Sequence, residues 1–330
     1  MSDDLSPGHR DWFNLQFRVR FAQAHGQSFQ DFFAELMEKA YPGDFVRVRA
    51  HGRLGDGKCD GHLPSGGLFF QLYASQSLDL KTLQQKIATD FTGALSYWGD
   101  RMRAWALVYN HGLPAPVVQQ LGDLRAAHPQ ITITHWDQEQ LRCLLDRMSR
   151  RQLEALFGRA PEARDFQRVG FPEIAPLVRA IEGRLAAPGT SLDGSLAPVP
   201  VAKLEINALS PASARFIRLG RESEQVVEEY FGAHYDPTLG ERVAAGYRAE
   251  YVRLRREGWG PDGIFARLVD FSGGASAESG QAAAVYTILA YFFERCDIFE
   301  SAPTPTVPTP TPTAPAPTAS SDAPADQAPS

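Results

Sequence analysis

The chain has 330 residues, of which 43% are hydrophobic, and a formal net charge of −6. This length suggests about two domains, and the acidic charge excludes a protein that coats nucleic acid with a uniformly basic surface, although a local basic groove is compatible with it. Cys59, Cys143 and Cys296 lie far apart without a CxxC spacing, which supports neither a disulfide framework nor a zinc site.

The N-terminus and the hydropathy pattern bear on localisation. The first residues are acidic and polar and lack the positive flank and apolar run of a secretory signal. No window approaches the roughly 18 uninterrupted apolar residues of a membrane span. We therefore expect a cytoplasmic protein that makes no use of a membrane.

Residues 26–40 begin the first predicted unit with an amphipathic helix, because their large apolar residues recur at helical spacing. Three short segments with strand-like patterns follow, joined by connections that contain glycine. They predict a three-stranded meander over residues 45–50, 58–63 and 68–74.

The next residues alternate between helical and strand patterns. The continuous apolar run at 105–110 is typical of a strand buried on both faces. The order α-β-β-β-α-β-α-β, closed by two further helices, predicts a mixed sheet flanked by helices. The remaining predicted elements are a helix at 78–98, a helix from Pro114 to His128, a strand at 131–136, and helices at 137–147 and 149–157.

Glycine and proline cluster at residues 186–200, which predicts a linker, and four helices without strands follow it. From Ala302 the chain consists mainly of Pro, Thr, Ala and Ser, which is typical of a disordered tail. The P-loop pattern GxxxxGK[ST] is absent, so the chain is not itself a P-loop ATPase. The predicted divisions are 12–158, a connecting segment 159–211, a helical domain 212–301 and the tail 302–330.

The segment GDGKCDG, residues 55–61, runs into the second predicted strand and carries the candidate chemistry. If it continues the strand, Lys58, Asp60 and Asp56 project from one face, because strand side chains alternate. They would then converge on a cation or a phosphate. The alternative is turn chemistry, in which Asp56 and Asp60 bond to local backbone and Gly57 supplies a permissive conformation.

The predicted element order and this segment resemble PD-(D/E)XK nucleases, in particular the Mrr-type restriction endonucleases. The resemblance implies a restriction-endonuclease-like α/β fold, with Asp60 and Gln71 as ligands of Mg²⁺ and either DNA or RNA as substrate. Two positions depart from the family pattern: Gln30 replaces the helix glutamate, and Tyr73 replaces the lysine.

These departures weaken the predicted catalytic site. Hard cations prefer anionic oxygens, and a neutral tyrosine cannot stabilise developing phosphoryl charge as an ammonium does. Lys58, or less directly Lys86, would have to supply the positive charge, and Asp56 a second carboxylate. Gln71 and Tyr73 can equally be core residues of a buried strand.

The stretches YRAEYVRLRREGWGPDGIFARLVDF and AAAVYTILAYFFERCDIFE, together with the N-terminal motifs, resemble the effector or sensor subunit of bacterial ABC three-component systems, which are proposed anti-phage modules. The resemblance implies an ABC ATPase and a middle component as partners. Two hypotheses follow. The first is an effector with a metal-dependent nuclease domain, and the second is a catalytically inactive sensor or scaffold.

The last predicted helix presents a wide apolar stripe that ends in the CDIFE sequence, residues 296–300. A partner-binding surface and a place in the core of the helical domain both explain it. The stripe consists of Val285, Ile288, Leu289, Phe292 and Phe293, with Ile298 and Phe299 beyond it.

Overall fold

A computed structural model describes residues 5–48, 57–74, 79–185, 209–273 and 279–295. Its helices are α1 Pro7–Gln23, α2 Gln27–Ala40, α3 Leu80–Trp98, α4 Ala115–Ala127, α5 Gln138–Leu145, α6 Arg150–Phe157, α7 Ala163–Phe166, α8 Phe171–Leu185, α9 Pro211–Arg221, α10 Glu224–Ala233, α11 Leu239–Arg256, α12 Pro261–Phe271 and α13 Ser279–Glu294. Within the described ranges, no helix has the length and apolarity needed to cross a bilayer.

One mixed sheet of five strands lies in the N-terminal half. The order is β1-β2-β3-β4-β5, with antiparallel pairing from β1 to β3 and parallel pairing from β3 to β5. The predicted element order from α2 to β5 is confirmed, and most predicted bounds are correct to within two residues. The strands are β1 Val46–Arg47, β2 Gly61–Leu63, β3 Leu68–Tyr73, β4 Ala104–Tyr109 and β5 Thr132–Trp136.

Helices cover both faces of this sheet. On one face, Phe33 of α2 meets Phe70 of β3 with ring centroids 5.3 Å apart. On the other, Phe91 of α3 meets Trp105 of β4 edge to face at 5.5 Å. Successive residues of β4 belong to opposite apolar clusters, as expected of a strand buried on both sides.

Helix α1 precedes the sheet in sequence but packs largely against helices from the C-terminal half. Trp12 makes edge-on ring contacts with Phe216 and Tyr286, both at 5.9 Å. Gln16 donates a hydrogen bond to the Tyr286 hydroxyl at 3.3 Å, and Arg18 pairs with Asp262 of α12 at 3.0 Å. The apolar core therefore continues from the α/β unit into the C-terminal helices.

The four helices predicted after the linker are confirmed as α10 to α13, and α7, α8 and α9 are additional. Helix α13 is enclosed by its neighbours, since every residue from 282 to 293 is buried. Its predicted apolar stripe, Val285 to Phe293, therefore belongs to the core and not to an exposed docking surface.

Several predicted features lie outside the described residues. They are Asp56, the linker 186–200, the CDIFE segment and the tail 302–330. The predicted domain boundaries are untested, although the packing of α1 ties the first residues of the chain to the helical region.

Candidate functional site

A polar recess of about 280 Å³ opens at the carboxyl end of β3. Gln30 of α2, Tyr73 of β3 and Lys86 of α3 contribute its polar groups, and Leu72 and Ala74 complete the strand side. Three of the sequence-predicted positions, Gln30, Tyr73 and Lys86, are therefore brought together. Asp60, Gln71 and Lys58 do not line this recess.

Asp60 is held by hydrogen bonds on its backbone and on both carboxylate oxygens. Its N–H donates to the Phe70 carbonyl at 2.9 Å, and its own carbonyl accepts from Val48 N–H at 3.1 Å. The Oδ2 atom accepts from Leu72 N–H at 2.7 Å, and Oδ1 accepts from the Gln30 amide at 3.0 Å. Asp60 thus ties together the segment after β1, strand β3 and helix α2 through partners that are distant in sequence, and not through the local backbone bonds of the turn alternative.

Lys58 does not sit on a strand, because β2 begins only at Gly61. Its φ of 58° and that of Gly57, 62°, place both residues in the left-handed region that turns use. The alternation argument that put Lys58 and Asp60 on one face is therefore wrong for this segment. A Cβ placed on Gly93 would lie 2.7 Å from Lys58 Cγ, so the lysine side chain runs across α3 at that glycine.

The Lys58 ammonium reaches Asp90 on α3. Lys58 Nζ lies 3.2 Å from Asp90 Oδ1, and Lys86 Nζ lies 3.0 Å from Oδ2. The Asp90 side chain is only 3% exposed while the two lysines are nearly half exposed. Two ammonium groups therefore surround one buried carboxylate beside the recess.

Sequence reasoning missed Asp90, although a signal was present. It occupies the same helical stripe as Leu83, Ile87 and Phe91, where a charged residue interrupts an apolar face four residues after Lys86. A carboxylate on a buried helix face needs cationic partners, because an unpaired buried charge is costly. The spacing alone would have suggested Lys86 as one of them.

Gln71 and Tyr73 lie on the face of β3 that packs against α3. Gln71 is buried, and its Oε1 accepts no hydrogen bond from the part of the chain that the structure describes. The Tyr73 ring lies 5.8 Å from that of Tyr109 on the adjacent strand. Gln71 offers a metal one amide oxygen, and Tyr73 supplies no positive charge.

The described members of the predicted donor set, which exclude Asp56, do not by themselves fit a catalytic Mg²⁺. No group of three or more His, Cys, Asp or Glu side chains suited to a metal occurs among the described residues. The one carboxylate that the resemblance assigns to the metal, that of Asp60, already accepts hydrogen bonds on both oxygens. A hard cation requires several anionic oxygens, and these residues do not provide them.

Together, the fold and the recess define a two-part protein, in which an α/β unit with a polar but carboxylate-poor recess joins a helical region. Residues 173–300 match the family described as C-terminal domain 10 of the ABC-three component (ABC-3C) systems. The match covers less than half of the chain and supports its membership in an ABC three-component system. No curated protein and no solved structure matches the chain significantly.

Proposed function

We propose that this chain is the sensor or scaffold component of an ABC three-component system. In this proposal the α/β unit is a restriction-endonuclease-like module that binds nucleic acid without cutting it. The helical region docks the ABC ATPase and the middle component. The observation that carries the non-catalytic assignment is the engagement of both Asp60 oxygens within the protein.

The sheet topology supports the restriction-endonuclease-like fold. An α-helix, an antiparallel meander, a helix and then a strand parallel to the third is the order that the resemblance implies. The recess at the end of β3 lies beside the strand that would carry the second-strand ligands of a nuclease. The position of the recess fits that fold, whereas the side chains that line it include no carboxylate to bind a metal ion.

The lysines beside the recess support binding to phosphate. Lys58 and Lys86 share one buried carboxylate and keep about half of their side-chain surface exposed, so both ammonium groups can also face a ligand. Lysine acts as a point charge toward phosphate and does not read base sequence. We therefore expect binding that depends on salt and discriminates little between sequences.

Metal-dependent cleavage is the second candidate, and the orphaned Gln71 Oε1 favours it. A buried carbonyl oxygen without a donor can be a ligand position. A cation bound there would still need Asp60 to exchange its internal hydrogen bonds for metal coordination, together with at least one more carboxylate.

A nuclease assay distinguishes the two candidates. Wild type and Asp60→Asn, each with the partner subunits present, are incubated with DNA and with RNA in Mg²⁺ or Mn²⁺. We expect no cleavage by either protein, since the described residues around Asp60 supply too few carboxylates to bind the metal ion that hydrolysis needs. Cleavage by wild type that falls at least about a hundredfold in Asp60→Asn would establish the enzyme instead.

The phosphate-binding role predicts a second result. The triple variant Lys58→Gln, Lys86→Gln, Asp90→Asn removes both ammonium groups without leaving a bare buried carboxylate. We expect its affinity for a short nucleic acid to fall about tenfold at low salt, with a shallower dependence on salt. Fluorescence anisotropy measures this, with Lys39→Gln, Lys81→Gln as the control pair on neighbouring helices. Equal binding by the triple variant would remove the recess from the interface.

A further inference from the structure

A larger cavity, of about 600 Å³, lies between the α/β unit and the helical region. Its walls are α1, the start of α5, the residues that follow β4 and the first turns of α12. The carboxyl ends of the parallel strands β4 and β5 open toward it, and in α/β sheets ligands bind beyond that edge. It neighbours the polar recess, since His25 lines the cavity and Gly26 lines the recess.

Arg267 of α12 lines the cavity as a cation without a close carboxylate among the described residues. It forms no ion pair within the described residues, and its buried Nε has no hydrogen-bond acceptor there. Its guanidinium stacks on the Trp259 ring at 4.6 Å. Burial lowers the pKa of Arg267 despite the opposing effect of Asp270, as expected of a cation held away from water without a partner.

The other charged side chains of the cavity are already engaged. Arg18 pairs with Asp262 at 3.0 Å, and Arg142 pairs with Glu139 at 2.9 Å. Asp137 accepts the N–H groups of Glu139 and Gln140 as the cap of α5. No carboxylate that lines the cavity is therefore available to Arg267, and the carboxylates that oppose the effect of burial on it, Asp270, Glu257 and Glu250, lie outside the lining.

Two further polar residues of the lining, Tyr109 and His25, also suit an anionic ligand that accepts hydrogen bonds. The Tyr109 hydroxyl is buried and has no hydrogen-bond partner in the described part of the chain. His25 lies near enough to Arg267 and His111 that, after burial, both lower its pKa. His25, Arg267 and the Tyr109 hydroxyl group thus all belong to residues that line the cavity.

Apolar and aromatic side chains form much of the remaining lining, beside Asn110 and Gln138, and the space is larger than a single phosphate needs. Phe17, Phe21 and Trp259 form its walls. A Cβ on Gly112 or Gly260 would meet no atom within 4 Å, so these lining positions add open room. A volume in the range of roughly 300–1,000 Å³ is typical of sites for small organic ligands.

We propose that this cavity binds a free nucleotide, whose phosphate pairs with Arg267 and whose base packs against the aromatic walls. Guanidinium groups pair with phosphate through parallel N–H donors, and aromatic faces stack on bases. This inference goes beyond the proposed function and does not depend on it. The bound nucleotide would touch α1, α12 and the sheet edge, and so would link the two parts of the chain.

Isothermal titration calorimetry on the full chain tests the proposal. The probes are the mono-, di- and triphosphates of adenosine, guanosine, cytidine and uridine, with adenosine, inorganic phosphate and a 5′-phosphorylated single-stranded oligonucleotide as comparisons. We expect at least one nucleotide to bind more tightly than adenosine or phosphate. Arg267→Gln should weaken it about tenfold or more, as loss of a charged hydrogen bond predicts, and Arg256→Gln, on the exposed end of α11, should not.

Tyr109→Phe, which removes only the hydroxyl, keeps the test informative if Arg267→Gln fails to fold, and we expect it to weaken the nucleotide several-fold. The proposal is overturned if none of the nucleotides binds to wild type, or if the folded cavity variants bind as well as wild type. Binding of the oligonucleotide alone would also overturn it and assign the cavity to nucleic acid. The nuclease and anisotropy experiments are read separately, so either proposal can fail alone.

Discussion

Gly220→Ala is expected to destabilise the helical region by roughly 3 kcal/mol, the upper end of the usual cost of overpacking. A Cβ at this position of α9 would overlap the carbonyl oxygen of Tyr286 and lie 2.9 Å from Ala290 Cβ. The obstacle is the backbone of α13, which is buried between its neighbours and cannot rotate aside as a side chain can. The two helices would have to separate along their contact.

Gly183→Ala provides the matched control. Gly183 also lies inside a helix of the same region, α8, but a Cβ there would meet no atom within 4 Å. Alanine favours helices over glycine by about 1 kcal/mol, so we expect this variant to be equally or more stable. Chemical denaturation followed by circular dichroism measures both. If Gly220→Ala proves as stable as Gly183→Ala, the result contradicts the close packing of α9 against the backbone of α13.

Asp60→Leu is expected to cost roughly 1–3 kcal/mol of stability, the usual effect of depriving a buried donor of its acceptor. The Leu72 N–H would lose the Oδ2 acceptor and the Gln30 amide would lose Oδ1. Both losses fall at the junction of α2 with β3. If Asp60 instead binds an essential metal in an open site, the substitution should leave the stability of the metal-free protein nearly unchanged.

Asp60→Asn separates hydrogen bonding from charge. Its amide oxygen can still accept from Leu72 N–H, while its amino group can donate to Gln30 once that amide turns over. We expect it to recover most of the stability that Asp60→Leu loses. Denaturation in the presence and absence of Mg²⁺ measures both variants, and a clear stabilisation by Mg²⁺ of wild type alone would contradict a purely structural role for Asp60.

Much of the α/β unit could be predicted because its elements follow simple periodicities. Helix α2 keeps its apolar residues on one stripe, and β4 is an unbroken apolar run, so each pattern has one interpretation. Such elements depend on burial of one face or of both, which the sequence shows directly.

Helix α1 could not be predicted in the same way. From Phe13 to Phe21 its apolar residues occur at every second position, which is the pattern of a strand. The helix nevertheless forms because partners surround it, with Gln16 bonded to Tyr286 and Arg18 paired with Asp262. Tertiary contacts from residues more than two hundred positions away stabilise it, and the local sequence signals only its start, where Ser6 is the N-cap and Pro7 the first helical residue.

The candidate site was predictable in its place but not in its geometry. Element order put the polar positions near the ends of β2 and β3, and Gln30, Tyr73 and Lys86 do meet there. The ion pair of Lys58 with Asp90 depends on a left-handed turn at Gly57 and Lys58. Because residue 58 is a lysine and not a glycine, the sequence gives no sign of the left-handed conformation there. A single backbone reversal thus redirects a side chain that strand alternation would have aimed elsewhere.

The packing of α1 makes the helical region discontinuous in sequence. A fragment cut after α8 would keep Trp12 but discard its ring partners Phe216 and Tyr286, while the complementary fragment would expose the surface that Trp12 covers. Cleavage of the chain between the two halves would therefore expose the apolar surface that α1 shares with the C-terminal helices. The N-terminal helix packs against both parts, so a displacement of α1 would alter its contacts with each of them.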